Sequence, residues 1–182
     1  MEPNNVIHIW ERCKSNERQA QSELYNLFAS KMYALCLRYA RDQDEANDML
    51  QNGFIKVFSK CEMYEGKGSL EGWIRRVMVN TAIESLRKNK IQFLSTDQLT
   101  AREMEFSSTA SLNHLDYKDL LNLIKRLPMG YRTVFNLYAI EGYNHKEISE
   151  MLNISEGSSK SQLSRARNWL KERIQKMEEL GI

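Results

Sequence analysis

Apolar side chains recur every three or four residues through two long stretches of this chain, separated by a stretch with no period. Leu24, Phe28, Met32, Leu35 and Tyr39 carry one run, and Ala46, Met49, Leu50, Phe54, Val57 and Phe58 a second. This spacing lines one side of an α-helix with apolar groups and leaves the rest to solvent. No segment alternates with period two between turn residues, so the pattern offers no strands to pair. The spacing therefore predicts an all-α protein. Only two Pro and eight Gly occur in 182 residues, which fits long helices better than a turn-rich β fold.

The breaks in the period divide the chain. Asp44 and Glu45 suit the N-terminus of a helix, where negative charge meets the positive end of the dipole. Gly66 to Gly72, GKGSLEG, is a loop or turn, and a third helix begins near Leu70 and runs to about Lys88. From Lys90 to Asn113 the chain is rich in Ser, Thr and Gln and reads as an extended linker, too long for an ordinary connection. Helical spacing resumes with Leu115, Leu120, Leu123, Ile124 and Leu127, and Pro128 closes that helix. The expected organisation is a helical domain over residues 1–89, a flexible linker over 90–114 and a second helical domain over 115–182. Domains this small have marginal cores unless a partner adds to them.

Several classes drop out on composition. No run approaches the roughly 18 to 20 apolar residues needed to cross a bilayer, and the opening MEPNNVIHIWERCK lacks a signal peptide's apolar segment. We expect a cytoplasmic protein with no direct membrane insertion. Cys13, Cys36 and Cys61 are odd in number and far apart, which suits free thiols in a reducing compartment. The net charge is only +2, but residues 73–90 and 155–176 each carry +4, flanking an acidic middle. Local basic patches are an electrostatic footprint for nucleic acid, and also what any solvated helix face looks like.

The last third is the most specific. Gly142 can end one helix in the left-handed conformation. Asn144 with Glu147 three residues later makes a capping box for a short helix, His145–Leu152, that turns Ile148, Met151 and Leu152 inward. After Asn153-Ile154-Ser155, a second helix opens near Glu156 with Ser155 as its cap. Its buried stripe is Ser159, Leu163, Ala166, Leu170 and Ile174; Lys160, Ser161, Ser164, Arg167, Asn168 and Lys171 lie opposite, with Arg165 at the edge. Two short helices joined by a tight turn, the second basic, is the signature of a DNA-reading helix-turn-helix, though any basic helical hairpin imitates it. In such a helix cations grip phosphates or guanine edges, and serines leave room for close approach.

The third helix of the first domain repeats the theme. Arg76, Asn80, Ile83 and Arg87 share one stripe, bordered by Trp73 and the loop bearing Tyr64, Lys67, Gly68 and Ser69. Ile74, Val77, Met78, Ala82 and Leu86 form the opposite, core side. An aromatic beside Arg, Lys and Asn supplies a stacking platform, a phosphate grip and a hydrogen-bonding edge for unstacked bases. Trp73 read alone is better explained by core packing, though an amphipathic ring can serve both roles. Catalytic patterns are missing: no phosphate-binding loop, HExxH or nucleophile elbow occurs, and His8, His114 and His145 are isolated. We expect no enzyme, metal or cofactor.

Four segments, DEANDMLQNGFIKVF (44–58), SLEGWIRRVMVNTAIESLRK (69–88), LPMGYRTVFNLYAIEGYNHKEISEML (127–152) and ISEGSSKSQLSRAR (154–167), resemble in content and order those of a bacterial RNA polymerase sigma factor. The chain is similar to the minimal two-domain, extracytoplasmic-function group, over residues 20–88 and 117–172. The resemblance implies that the helix with Asp48, Gln51, Asn52, Phe54 and Ile55 docks on the β′ clamp helices of core polymerase, Asn52 standing where the family often has Glu. It implies that Lys67, Gly68, Ser69, Trp73, Arg76, Asn80 and Arg87 recognise and melt the −10 promoter element, with Asn80 and the loop holding a flipped base. Lys160, Ser161, Ser164, Arg165 and Arg167 would read the −35 element, and Arg132, His145 and Lys146 would touch phosphates. Ser159 replaces a common hydrophobic residue, from which a slightly looser recognition helix is expected. Implied partners are promoter DNA, core polymerase through its β′ clamp helices and β flap, and an anti-sigma factor, often membrane-anchored; the free protein is expected to be a monomer. The rival readings are a stand-alone helix-turn-helix regulator and a helical module that binds a protein partner and no DNA.

Overall fold

The computed structural model describes residues 3–88 and 117–179, and among these every regular element is helical. The chain divides into two compact units, Met1–Asn89 and Lys90–Ile182. The sequence expectation for the linker, and Leu115 after it, fall outside the described residues.

The first unit contains α1 (Pro3–Lys14), α2 (Arg18–Tyr39), α3 (Gln43–Ser59), a single 3₁₀ turn Cys61–Met63 and α4 (Leu70–Lys88). The predicted apolar stripes close on one another: Leu24, Met32, Leu35 and Tyr39 of α2 are buried with Ala46, Met49 and Val57 of α3 and Ile74, Met78 and Leu86 of α4. α3 starts where its charges predict. Asp42 is the N-cap and accepts from the Glu45 backbone N–H at 2.8 Å, while the Glu45 carboxylate accepts from the Arg41 backbone N–H at 2.7 Å. α3 and α4 cross where α3 has no side chain: a Cβ on Gly53 would stand 2.1 Å from the Met78 sulfur.

α1 is the addition that the periodicity argument passed over. Its Ile9, Trp10 and Cys13 are buried. Asn16, at φ 58°, turns the chain from α1 to α2 in a left-handed conformation that asparagine tolerates. Arg12 ties the junction with an ion pair to Glu17 and a second to Glu23 at 3.4 Å. All three cysteines are free and buried; burial pushes the Cys13 thiol up to about 11 and Cys36 to about 12.

The second unit holds α5 (Tyr117–Lys125), α6 (Met129–Phe135) continued by a π-helical turn Asn136–Ile140, α7 (His145–Leu152) and α8 (Glu156–Glu179). α5 stops three residues before Pro128, which is instead the N-cap residue of α6. Leu123, Ile124 and Leu127 form a core with Ala166 and Leu170 of α8. Ile174, placed by the helical wheel on the buried stripe, is only partly covered, as is Met151 on α7.

α7 carries the full capping box: Asn144 accepts from the Glu147 backbone N–H at 3.0 Å, and the Glu147 carboxylate accepts from the Asn144 N–H at 2.8 Å. Asn153 ends it at φ 54°, and Ser155 accepts from the Ser158 N–H at 3.0 Å to start α8. Gly142, at φ 81°, makes the turn into α7. α7, the turn and α8 together form the helix-turn-helix.

Candidate polymerase and nucleic-acid faces

On α3, Asp48, Gln51, Asn52 and Ile55 are exposed and, spaced i, i+3, i+4, i+7, share one stripe; Ile55 leaves 64% of its surface to solvent. Four polar or apolar groups in line, with a large aliphatic at one end, can take up another helix. Phe54 does not belong with them. It is 3% exposed and its ring lies 4.7 Å from Tyr25 and 5.9 Å from Phe58. One residue along a helix is a 100° turn, enough to move Phe54 from the docking stripe into the core. It supports the stripe from beneath.

On α4, Arg76, Asn80 and Arg87 are exposed and engage no acidic side chain among the described residues. Ile83, grouped with them on the wheel, is 3% exposed and anchors that side of the helix instead. The loop before α4 needs glycine for its shape: Gly66 and Gly68 sit at φ 76° and 80°, where a Cβ is strained. Tyr64 donates its hydroxyl to the Gly68 carbonyl at 2.8 Å, and Ser69 caps α4 by accepting from the Gly72 N–H at 3.1 Å. Lys67 is paired with Glu65 at 2.6 Å, both well exposed. Such a pair is worth little in water, so an approaching phosphate can displace the carboxylate.

Trp73 is half-buried, its ring 5.8 Å from Tyr64 and 5.4 Å from Trp10 of α1. It thus packs as a core residue and still keeps a solvent edge. The trio Trp10, Tyr64 and Trp73 backs the loop, and sequence reasoning missed its innermost member. The signal was present, since Val6, Ile9, Trp10 and Cys13 have helical spacing.

In the second unit, Lys160, Ser164, Arg165 and Arg167 are exposed on α8, while Ser161 is half-buried and donates its hydroxyl to the Ser158 carbonyl at 3.0 Å. Two tyrosines orient these cations. The Arg165 guanidinium donates to Tyr131 Oη at 3.3 Å, and that of Arg167 lies over the Tyr138 ring at 5.5 Å. Lys160 stands 3.9 Å from Glu156, a loose pair one turn back. Neither tyrosine was singled out from sequence, although Tyr131, Val134, Phe135 and Tyr138 are spaced as one helix face.

The expected phosphate contacts fare differently. Lys146 is exposed. Arg132 is 6% exposed, donating to the Lys125 carbonyl at 3.1 Å and to the Met129 sulfur at 3.0 Å. In this structure it satisfies the carbonyl end of α5, a structural role for a side chain that the resemblance sets at a phosphate. His145 is half-buried and stacked on Tyr138 at 4.7 Å, its Nδ1 2.9 Å from Ser159 Oγ. Burial, then the nearby Lys160 and Arg167, hold its pKa below the ordinary histidine value, against an opposing pull from Glu156. At neutral pH it offers a hydrogen bond and no charge. Ser159 is fully buried with that partner, so this polar residue links α7 to α8 through a hydrogen bond.

Two all-helical units, one closed by a helix-turn-helix, make an architecture suited to meeting DNA. Residues 24–91 match the model of sigma-70 region 2, and residues 117–170 that of sigma-70 region 4. The chain is 29% identical to the ECF RNA polymerase sigma factor SigM of Bacillus subtilis over 82% of its length and 91% of that protein's. It is 30% identical to RNA polymerase sigma factor SigV of the same organism over 74% of its length and 78% of that protein's. It is 31% identical to the RNA polymerase sigma-E factor of Streptomyces coelicolor over 75% and 76%. The solved structure of sigma factor RpoE from Bartonella quintana, in complex with the anti-sigma factor NepR, shares the fold at a TM-score of 0.51 and 19% identity, covering 85% of this chain and 96% of that one. The protein belongs to the sigma-70 family of RNA polymerase sigma factors, in its extracytoplasmic-function group. No described helix is long and apolar enough to cross a membrane.

Proposed function

We propose that this sigma factor docks on core polymerase and directs it to promoters by reading a −35 element with α8 and capturing melted −10 bases with α4 and the preceding loop. The observation that carries the reading is the exposure of two cation-bearing faces, one on each unit: Arg76, Asn80 and Arg87 beside Trp73, and Lys160, Arg165 and Arg167 on α8. The first combines cations with an aromatic edge, as single strands require, and the second is the outer face of a helix-turn-helix. The stripe Asp48, Gln51, Asn52 and Ile55 would meet the β′ clamp helices, and the second unit the β flap. The structure of the Bartonella relative with its anti-sigma factor supports an anti-sigma partner for this chain; the resemblance implies that such partners are often membrane-anchored.

The test is reconstituted transcription with purified protein, bacterial core polymerase and a genomic library, mapping RNA 5′ ends. Discrete starts that share upstream motifs at fixed spacing are expected. Lys160→Ala or Arg165→Ala should weaken promoter use about 10- to 100-fold, in line with about 1–3 kcal/mol per good base contact, without changing core binding. Asp48→Lys should reduce core binding instead. Full initiation with no dependence on α8 side chains would overturn the −35 assignment. A stand-alone regulator would give tight duplex binding without polymerase and no core-dependent starts.

A further inference from the structure

We infer that α1, through Trp10, is the positioning element of the base-capturing loop; this rests on the proposed role of the loop in −10 recognition. The region 2 match begins at residue 24, so all of α1 lies outside it. Yet α1 delivers Trp10 against the two aromatics that frame the loop, 5.9 Å from Tyr64 with rings at 84° and 5.4 Å from Trp73 at 65°. These edge-to-face geometries are the attractive ones for aromatic pairs. Trp10 is 1% exposed.

The loop has little else beneath it. Residues 65–69 are exposed, and a half-open groove of about 520 Å³ runs beside the loop, walled by Val6 and Ile7 of α1, Leu27 and Phe28 of α2, and Tyr64 and Gly68. The loop's path is therefore set by few contacts. Tyr64 holds the Gly68 carbonyl through its hydroxyl, and Tyr64 is itself held by Trp10 and Trp73. Displacing the Tyr64 ring would release Gly68, and with it Lys67, leaving Ser69 held only by its cap on α4.

Trp10 also bears a cost that packing alone does not require. Its Nε1–H is buried and makes no hydrogen bond among the described residues. A buried donor without a partner calls for an explanation, and a phenylalanine would fill space there without it. The indole's extra reach, touching two rings at once, supplies that explanation. α1 is in turn fixed on α2 by the Arg12 pairs with Glu17 and Glu23. Trp10 touches neither DNA nor polymerase in this scheme; it acts through Tyr64.

The test compares full-length wild type with Trp10→Ala, Trp10→Phe and a core control, Val57→Ala, which truncates a fully buried α3 residue outside the trio. Hydrogen exchange reads the loop directly. Amides of residues 65–70 should exchange at least about tenfold faster in Trp10→Ala, be partly restored in Trp10→Phe and be unchanged in Val57→Ala, although both alanine variants lower the melting temperature. With core polymerase, capture of a fluorescent 12-nucleotide single-stranded DNA pool of random sequence should fall about tenfold in Trp10→Ala only, while core affinity stays equal in all four proteins. Unchanged loop exchange in Trp10→Ala, or equal loss of capture in Val57→Ala, overturns the positioning role alone. A wild-type holoenzyme that captures no single strands, with the loop still loosened in Trp10→Ala, overturns the −10 reading and the proposal that rests on it.

Discussion

His145 is the residue where charge, stacking and hydrogen bonding meet, and its protonation has a definite sign. Its folded pKa lies below the ordinary value of 6.5, chiefly through burial and then through Lys160 and Arg167. Between the folded and unfolded values, the unfolded chain binds more protons than the folded one. The stability His145 contributes is therefore present above about pH 6.5 and lost as pH falls through the folded value. Thermal unfolding from pH 7.5 to 5.5 should show the second unit losing stability on acidification, with a shallower loss in His145→Gln. Equal slopes would mean that the ring's surroundings do not penalise its charge. Residues at this scale also show where helical period and family resemblance part: the period puts Phe54 in the core, and the resemblance puts it at the docking face. Phe54 and Ile55 are neighbours in sequence, yet one is core and the other is solvent-facing. Arg132, which the resemblance sets at a phosphate, is 6% exposed and donates to the Lys125 carbonyl.

Elements pack closely where a missing side chain allows it. The α3–α4 crossing depends on Gly53, opposite the fully buried Met78. Alanine would gain about 1 kcal/mol of helix propensity over glycine. It would also force the Met78 side chain off its place, and overpacking of this kind costs about 1–3 kcal/mol. The crowding should win. Gly53→Ala is expected to destabilise the first unit by about 1 kcal/mol in urea titration. In a double-mutant cycle with Met78→Ala the two changes should be less than additive, because the new methyl occupies part of the space vacated. Simple additivity would place the strain elsewhere. Since α3 carries the proposed docking stripe and α4 the proposed base contacts, this crossing sets one against the other. The capping box of α7 was legible as Asn144 and Glu147, because a cap is a local device that needs only its own four residues.

For the whole molecule, charge decides how the two proposed DNA faces can act. A net charge of +2 with two patches of +4 neutralises few phosphates. The free chain should bind a promoter duplex only in the nonspecific range, with Kd of about 10⁻⁴ to 10⁻⁶ M at physiological salt. With core polymerase, the same duplex should be held at least about 100-fold tighter, as two modules fixed together gain effective concentration. Fluorescence anisotropy with and without core checks this, and tight binding by the chain alone would favour a free-standing regulator. Among the described residues no His, Cys, Asp and Glu cluster could hold a metal.

By itself, the sequence determined whatever repeats within a few residues. Helical period, the α7–α8 turn, the caps and the order of family motifs are local, since a turn of helix brings residues i, i+3 and i+4 together whatever the rest of the chain does. Tertiary structure alone decided which apolar or charged groups remain available. Burial depends on what arrives from a distant element: Trp10 from α1 against Tyr64 and Trp73, Tyr138 against Arg167, and Ser159 against His145. No spacing rule links residues so far apart. Only the closed packing shows that the N-terminal helix backs the loop, and that Arg132 donates to a backbone carbonyl inside the fold.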